Sequence, residues 1–325
     1  MQATRRLRGL DDRTIERWIR ALALVLVVGV PLIAAVYWLD RHVDAGPSQQ
    51  ARAVADAETA LRAAPNDLAV RNHLAAAYVT AGLVDEGIAQ FGEVLHAAPA
   101  NRAALLGRGL AYVSLSEMDQ ARADFEAFVA SFADGEMVAG DAQLEQAYFQ
   151  LGTIALGQGR ADDAAAAFSA ALRIDRSDAD ALYGLGRALI ARGDAAKGVA
   201  ALHRAVAYVP TGWCEPYAAM ADGYGALTNV DGVAYANGMV AFCEGDLGAA
   251  TTQLRGLVEG PFAADALVGL AYIAARQGDH EAAASLFRQV LADDPANTSA
   301  AIGLQALGVP DAHASVPALQ PAGTP

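Results

Sequence analysis

The side chains of this 325-residue chain that could do chemistry are two cysteines, six histidines and a scatter of adjacent acids. Cys214 and Cys243 belong to no C-x-x-C or C-x-x-C-H, so neither a zinc ribbon nor a c-type haem attachment site is written here. As a pair they either close a disulfide or stay two free thiols, and the sequence leaves both open. His42, His73, His96, His203, His280 and His313 stand singly, whereas a helical metal site needs two at a spacing of three or four, so they read as surface histidines. Pairs such as Asp162-Asp163 and Asp293-Asp294 fall at turns and helix ends, where carboxylates are favoured for capping and dipole reasons. No G-x-x-x-x-G-K-S/T, H-E-x-x-H or G-x-S-x-G occurs, and Gly184-Leu185-Gly186 sits inside a helical stretch as packing glycine. These patterns assign no catalytic residue, no metal and no cofactor, and no small-molecule substrate is expected.

If the chain does no chemistry, its elements must present a surface. Alanine dominates, aromatics are 7%, and 31 glycines and 12 prolines punctuate the apolar runs, which suits short helices packed through small side chains. Residues 1–45 carry seven arginines against five acids, leaving 16 basic and 32 acidic residues beyond, so the body sits near −16 and should repel nucleic acid and anionic lipid.

Residues 21–39 hold no charge and would span roughly 28 Å as a helix, the length of a bilayer core. Trp18 before the run and Tyr37 and Trp38 at its end would place amphipathic rings at the two interfaces. A cleavable signal peptide would have a shorter apolar core and a better small-x-small site than Val43-Asp44-Ala45. Arg5, Arg6, Arg8, Arg13, Arg17 and Arg20 precede the span against Arg41 and Arg52 after it, which keeps segment 1–20 cytoplasmic and puts the rest outside the inner membrane.

Beyond the anchor the sequence repeats with a period of 34. A unit from 68 to 101 places Leu74, Ala75, Tyr78, Gly82, Gly87, Phe91, Val94 and Pro99 at unit positions 7, 8, 11, 15, 20, 24, 27 and 32. The unit 102–135 repeats Gly109, Tyr112, Ala121 and Phe125; 145–178 gives Tyr148, Gly152, Gly159, Ala164 and Phe168. The unit 179–212 carries Gly186, Gly193, Leu202 and Pro210; 264–297 carries Ala271, Gly278, Ala283, Phe287 and Pro295; and 231–263 matches more weakly through Gly238, Gly245, Ala250 and Leu254. Small residues at 8 and 20 let two antiparallel helices approach, and the proline at 32 ends the second. Residues 48–64 read as a lone second helix, 213–230 as one extra helix, and the stretch around 134–143 as a longer loop. The solenoid as a whole runs 48–307, and the proline-dotted tail 308–325 should be disordered.

These positions resemble the tetratricopeptide-repeat (TPR) signature. The resemblance implies an all-α superhelical solenoid of antiparallel helix pairs, here with one N-terminal transmembrane helix. It also implies that unit positions 2, 5, 9 and 12 of the first helices face a concave groove that binds peptides. Those positions give Asn72, Leu106, Leu110, Phe149, Thr153, Tyr183, Arg187, Tyr235, Met239, Phe242 and Tyr272, an aromatic and apolar set. The family's carboxylate clamp is not written, since only Asn72 fits its pattern. The expected function is a bilayer-anchored scaffold or adaptor with protein partners. It resembles anchored TPR proteins of envelope assembly, such as those of c-type cytochrome maturation or secretion. A cytoplasm-facing signalling scaffold of inverted topology is the alternative. An accessory subunit of an enzyme is disfavoured, because repeats fill the chain.

Overall fold

The computed structural model describes residues 48–132, 140–208 and 210–308, together with Trp18, Leu22, Val25, Gly29, Val30, Leu32 and Ile33, which are helical. Among the described residues there are fifteen helices with defined ends and no strand. None is long and apolar enough to cross a membrane. The span 21–39, apart from its six described positions, lies outside the described residues, as do nearly all of segment 1–20, most of the loop expected at 134–143 and the tail beyond Gly308.

The chain divides into two compact units, residues 1–65 and 66–325. The first holds α1 (Gln49–Ala63), which Ser48 caps by accepting from the Ala51 amide at 3.1 Å. In the second, helices pair in sequence: α2 (Leu68–Thr80) with α3 (Val84–Ala97), α4 (Arg102–Ser114) with α5 (Met118–Ala130), α6 (Ala142–Gly157) with α7 (Ala161–Ile174), and α8 (Ala179–Ala191) with α9 (Ala195–Tyr208). Then follow α10 (Glu215–Ala226), α11 (Val230–Glu244) and α12 (Leu247–Arg255), the pair α13 (Ala263–Arg276) and α14 (His280–Asp293), and α15 (Thr298–Ala306).

Local chemistry sets the hairpins. First helices start on a capping side chain: Asp67, Asn101, Asp141, Asp178 and Asn297 each accept from amides of the first turn. The turn between paired helices needs one left-handed residue at unit position 15, supplied by Gly82, Gly159, Gly193 and Gly278, and by Ser116 in the second unit (φ 62°). The residue at position 24 fills the slot between units. Phe168 lies against Gly152 of its own first helix, and also against Gly184 at position 6 of the next unit, where an added Cβ would come 2.4 Å from the ring. Phe91 meets Gly107, Leu254 meets Gly269 and Phe287 meets Gly303 in the same way. Repeating that seat makes the core continuous along the array.

Helix α11 has two such partners. Gly232 lies against Tyr224 of α10, as Gly198 lies against Ile190 of α8, while Gly238 lies against Leu254 of α12, as Gly186 lies against Leu202 of α9. It therefore serves as second helix to α10 and first helix to α12. That double role removes its free face, and Tyr235, Ala236, Met239 and Phe242 are all buried.

Contacts between non-consecutive helices fall almost entirely between first helices: α2 with α4, α6 with α8, α8 with α10, α11 with α13, and α13 with α15. First helices therefore form the inner wall. The exception is α15, which also reaches back to α9, so residues about a hundred positions apart in sequence close one end of that wall.

Candidate binding groove

The groove positions read from the sequence fall into three environments. In the amino-terminal units, the Asn72 amide donates to the Asn101 carboxamide oxygen at 3.0 Å, tying one unit to the cap of the next. Leu106 is core at 7% exposure, packed with Phe91 and Phe125, and Leu110 is partly buried against the same cluster. Both are drawn in because glycines at 107 and 109 let the neighbouring rings close over α4.

The middle units offer a more open wall. Phe149 is partly buried, edge-on to Phe168 with centroids 5.8 Å apart, and Thr153 is exposed, its hydroxyl donating to the Phe149 carbonyl at 3.0 Å. Tyr183 is partly buried against Trp213 (5.3 Å, edge-on), and the exposed Arg187 lies 5.4 Å over its ring.

At the carboxy-terminal end Tyr235, Met239 and Phe242 are buried, which corrects their reading as free groove residues, since α11 is packed from two sides. They nevertheless border open space. Two cavities lie one beyond the other along α11, α13 and α15. The first, of about 140 Å³, is bordered by Tyr235 and Met239 of α11, Asp265 and Val268 of α13, His203 of α9 and Tyr217 of α10. The second, of about 460 Å³, is bordered by Phe242, Cys243, Tyr272, Arg276, Gly303 and Leu307. Tyr272 donates its hydroxyl to the Ser299 carbonyl at 2.8 Å, and Arg276 donates to the Phe242 carbonyl at 2.8 Å while its guanidinium sits 5.4 Å over the Phe242 ring.

The smaller cavity has the richer chemistry. His203, Tyr235 and Phe262 form a parallel stack, with His203–Tyr235 centroids 5.8 Å apart at 7° and Tyr235–Phe262 5.8 Å apart at 22°. His203 Nε2 shares a 2.5 Å hydrogen bond with the Tyr224 hydroxyl, and Tyr217 donates to the Pro210 carbonyl at 3.1 Å. Burial raises the pKa of Tyr217, Tyr224 and Tyr235 above the usual phenol range, so these are neutral hydrogen-bonding groups. Burial pushes His203 down and Asp265 up, each opposed by the charge of the other. The positional rule that names Tyr272 also reaches Asp265 and Val268, at positions 2 and 5 of the unit starting at 264. His203 stands on a second helix, and nothing in its sequence context signals the site.

Cys214, before the first turn of α10, and Cys243, in the last turn of α11, are partly buried free thiols beside one another. Burial first, then the Cys214 thiol, pushes Cys243 up to about 12. Among the described residues no group of three or more His, Cys, Asp and Glu could hold a metal ion.

Profiles described as tetratricopeptide repeat match residues 74–136, 155–221 and 235–298, together more than half of the chain. No curated protein sequence matches it. Among solved structures it is similar to YrrB, described as a TPR protein with an unusual peptide-binding site, at 16% identity over 60% of this chain and 96% of that one, TM-score 0.52. It is also similar to MamA at 21% identity over 56% and 93% (TM-score 0.49), and to a tetratricopeptide repeat protein from Parabacteroides merdae ATCC 43184 at 17% identity over 86% and 98% (TM-score 0.46). At these identities the likeness is one of fold, while the profile matches fall on the same stretches in which paired helices, left-handed turns and position-24 seats recur: the chain belongs to the tetratricopeptide-repeat family.

Proposed function

We propose that this protein is a membrane-tethered scaffold that holds peptide segments of partner proteins against the inner wall of its carboxy-terminal units. The observation that carries the reading is the trough along α11, α13 and α15, where two cavities follow each other, floored by aromatic side chains with a few polar groups pointing in. YrrB, of the same fold, is described by a peptide-binding site, which supports a peptide ligand here.

Tethering is supported by the amino-terminal positions. Trp18, Leu22, Val25, Val30, Leu32 and Ile33 are helical and 56–70% exposed, and from Leu22 to Ile33 these large apolar side chains face outward in a stretch without charge. Such a surface is stable in lipid and costly in water. The arginine asymmetry around it favours an extracytoplasmic solenoid at the inner membrane. Attachment to that membrane raises the effective concentration of the groove for partners held there, as in assembly of an envelope complex. Within this reading the chain has no catalytic role of its own.

A photoreactive amino acid at position 272, in the intact chain in its native membrane, should capture a discrete protein, whereas the same probe at Glu126, exposed on a second helix, should not. Equal capture at both positions, or at neither, overturns the groove assignment. Release of the chain by an alkaline carbonate wash overturns the tether.

A further inference from the structure

The smaller cavity contains a carboxylate with nothing to hold. Asp265 stands in the first turn of α13, partly buried, and among the described residues its side chain takes part in no hydrogen bond and no ion pair within 4.0 Å. The other polar groups around it are already engaged. The Tyr235 hydroxyl interacts with that of Tyr217, Tyr217 donates onward to the Pro210 carbonyl, and Tyr224 is bonded to His203. Asn297 caps α15 through the Ala300 amide. The rest of the lining is the apolar Val206, Ala207, Pro210, Met239 and Val268 with the Thr298 and Ser299 hydroxyls, so the one lining group that can carry charge and has no partner is the Asp265 carboxylate.

We infer that this cavity is a binding site for an alkyl guanidinium or ammonium group, held by the Asp265 carboxylate with its stem against Met239 and Val268. Four features favour a cation over an anion or a neutral group. A partly buried carboxylate attracts a cation more strongly than one in bulk water. Burial disfavours the charged form of His203, and the ring makes no ion pair with Asp265 within 4.0 Å. The helix α15 amino terminus faces the cavity with at most about half a charge, and Asn297 already occupies it. The chain beyond residue 45 carries a net charge near −16, which draws cations toward the mouth. The volume, about 140 Å³, admits a planar guanidinium and a short stem. Burial has raised the Asp265 pKa, and an arriving cation would lower it again, so that the site is completed electrostatically by its ligand.

The same chemistry can arrive as a free small amine or as an arginine or lysine of a bound peptide. The inference goes beyond the scaffold reading and can hold where that reading fails, since it is measured by titration and not by partner capture. The intact chain in detergent is titrated calorimetrically with n-butylguanidinium, with n-butanol as uncharged counterpart, and with an acetylated, amidated Ala-Ala-Arg-Ala-Ala peptide against its glutamine analogue. At least one guanidinium probe should bind, with its uncharged counterpart at least about tenfold weaker, and Asp265→Asn should weaken the cation by the same factor. Thr298→Trp, on the exposed rim, should block the mouth without disturbing the core and serves as a second test should Asp265→Asn misfold. Binding of the free probe alone identifies a small-amine site, and binding of the peptide a partner side chain. No binding of either, binding indifferent to charge, or binding unchanged in both variants overturns the inference.

Discussion

Replacing Gly184 with alanine tests the packing rule that joins one repeat to the next. A Cβ there would lie 2.4 Å from Phe168 Cζ and 2.5 Å from Cε1, closer than any real contact. The ring has nowhere to go: it is 2% exposed, and on its other side the Cβ position of Gly152 lies 2.9 Å from it. Overpacking of this kind costs about 3 kcal/mol at the upper end of its usual range. Alanine returns about 1 kcal/mol of helix propensity over glycine, so the net expectation is about 2 kcal/mol of destabilisation. Gly157→Ala is the control, since it lies in α6 with nothing within 4 Å of its Cβ position, and should stabilise by up to about 1 kcal/mol. Thermal and urea unfolding of both variants give the comparison, and amide exchange in α7 and α8 locates the loss, because a repeat array opens in neighbouring slices. In a Phe168→Leu background the penalty for Gly184→Ala should shrink. A Gly184→Ala protein as stable as the parent, or with exchange rates in α7 and α8 unchanged, would refute the close-packed seat.

Four further outcomes are expected. The Glu145 carboxyl is pushed from 4.5 up to about 7 by burial and then by the Asp178 carboxylate, so the folded state binds the extra proton between those values and stability falls as pH rises through that window. The full shift would convert to about 3 kcal/mol, but solvent still reaches the group and screening leaves about 1, so Glu145→Gln should raise the melting temperature at pH 8 and leave it unchanged at pH 4. Asp124, 5% exposed, takes both arms of Arg108 at 2.7 Å; Asp124→Ala should cost about 3 kcal/mol in urea unfolding, and Arg108→Leu/Asp124→Ala should recover most of it, because Leu151 with Ala167 and Leu185 with Ala201 fill the same two positions elsewhere. Thr228 holds φ 54° with a β-branched side chain, and Thr228→Gly should stabilise by about 1 kcal/mol in the same assay. If the solenoid faces an oxidising compartment, Cys214 and Cys243 should be isolated as a disulfide, and titration of the unreduced, unfolded chain should find no free thiol; two thiols would count against that topology.

The fold was legible because its determinants are single residues at fixed intervals. Gly82, Gly159, Gly193 and Gly278 each mark a left-handed turn, and Phe91, Phe168 and Phe287 each mark a slot between units, so a period of 34 could be read without a partner sequence. Position 6 went unread as a rule. Gly184 reads as packing glycine from its run with Gly186, but Gly107, Gly269 and Gly303 lie inside helices without such a signature, and what any of the four packs against appears only when the side chain of the preceding unit is set against it. Ser116 shows the converse: the turn geometry persists where the glycine is missing, because the helices on both sides over-determine it.

The carboxy-terminal site was only partly legible, for a reason that lies in α11. Positional rules for a groove assume that each helix is either first or second in its unit, with one face left for ligand. The extra helix α10 makes α11 both at once, so the residues that the rule assigns to solvent, Tyr235, Met239 and Phe242, become walls. The same irregularity lets α15 reach α9, which a perfectly periodic array would keep apart. A cavity walled by five helices, with an uncompensated carboxylate from one and a histidine from another, therefore exists because the repeat is broken there. In a solenoid, where regular units present regular surfaces, departures from the period are the places at which buried polar chemistry can be assembled, and the 18 residues from Trp213 to Val230 are such a departure. Shortening them to restore the 34-residue spacing should leave helical content nearly proportional to length while abolishing the 140 Å³ cavity and any titration that depends on Asp265.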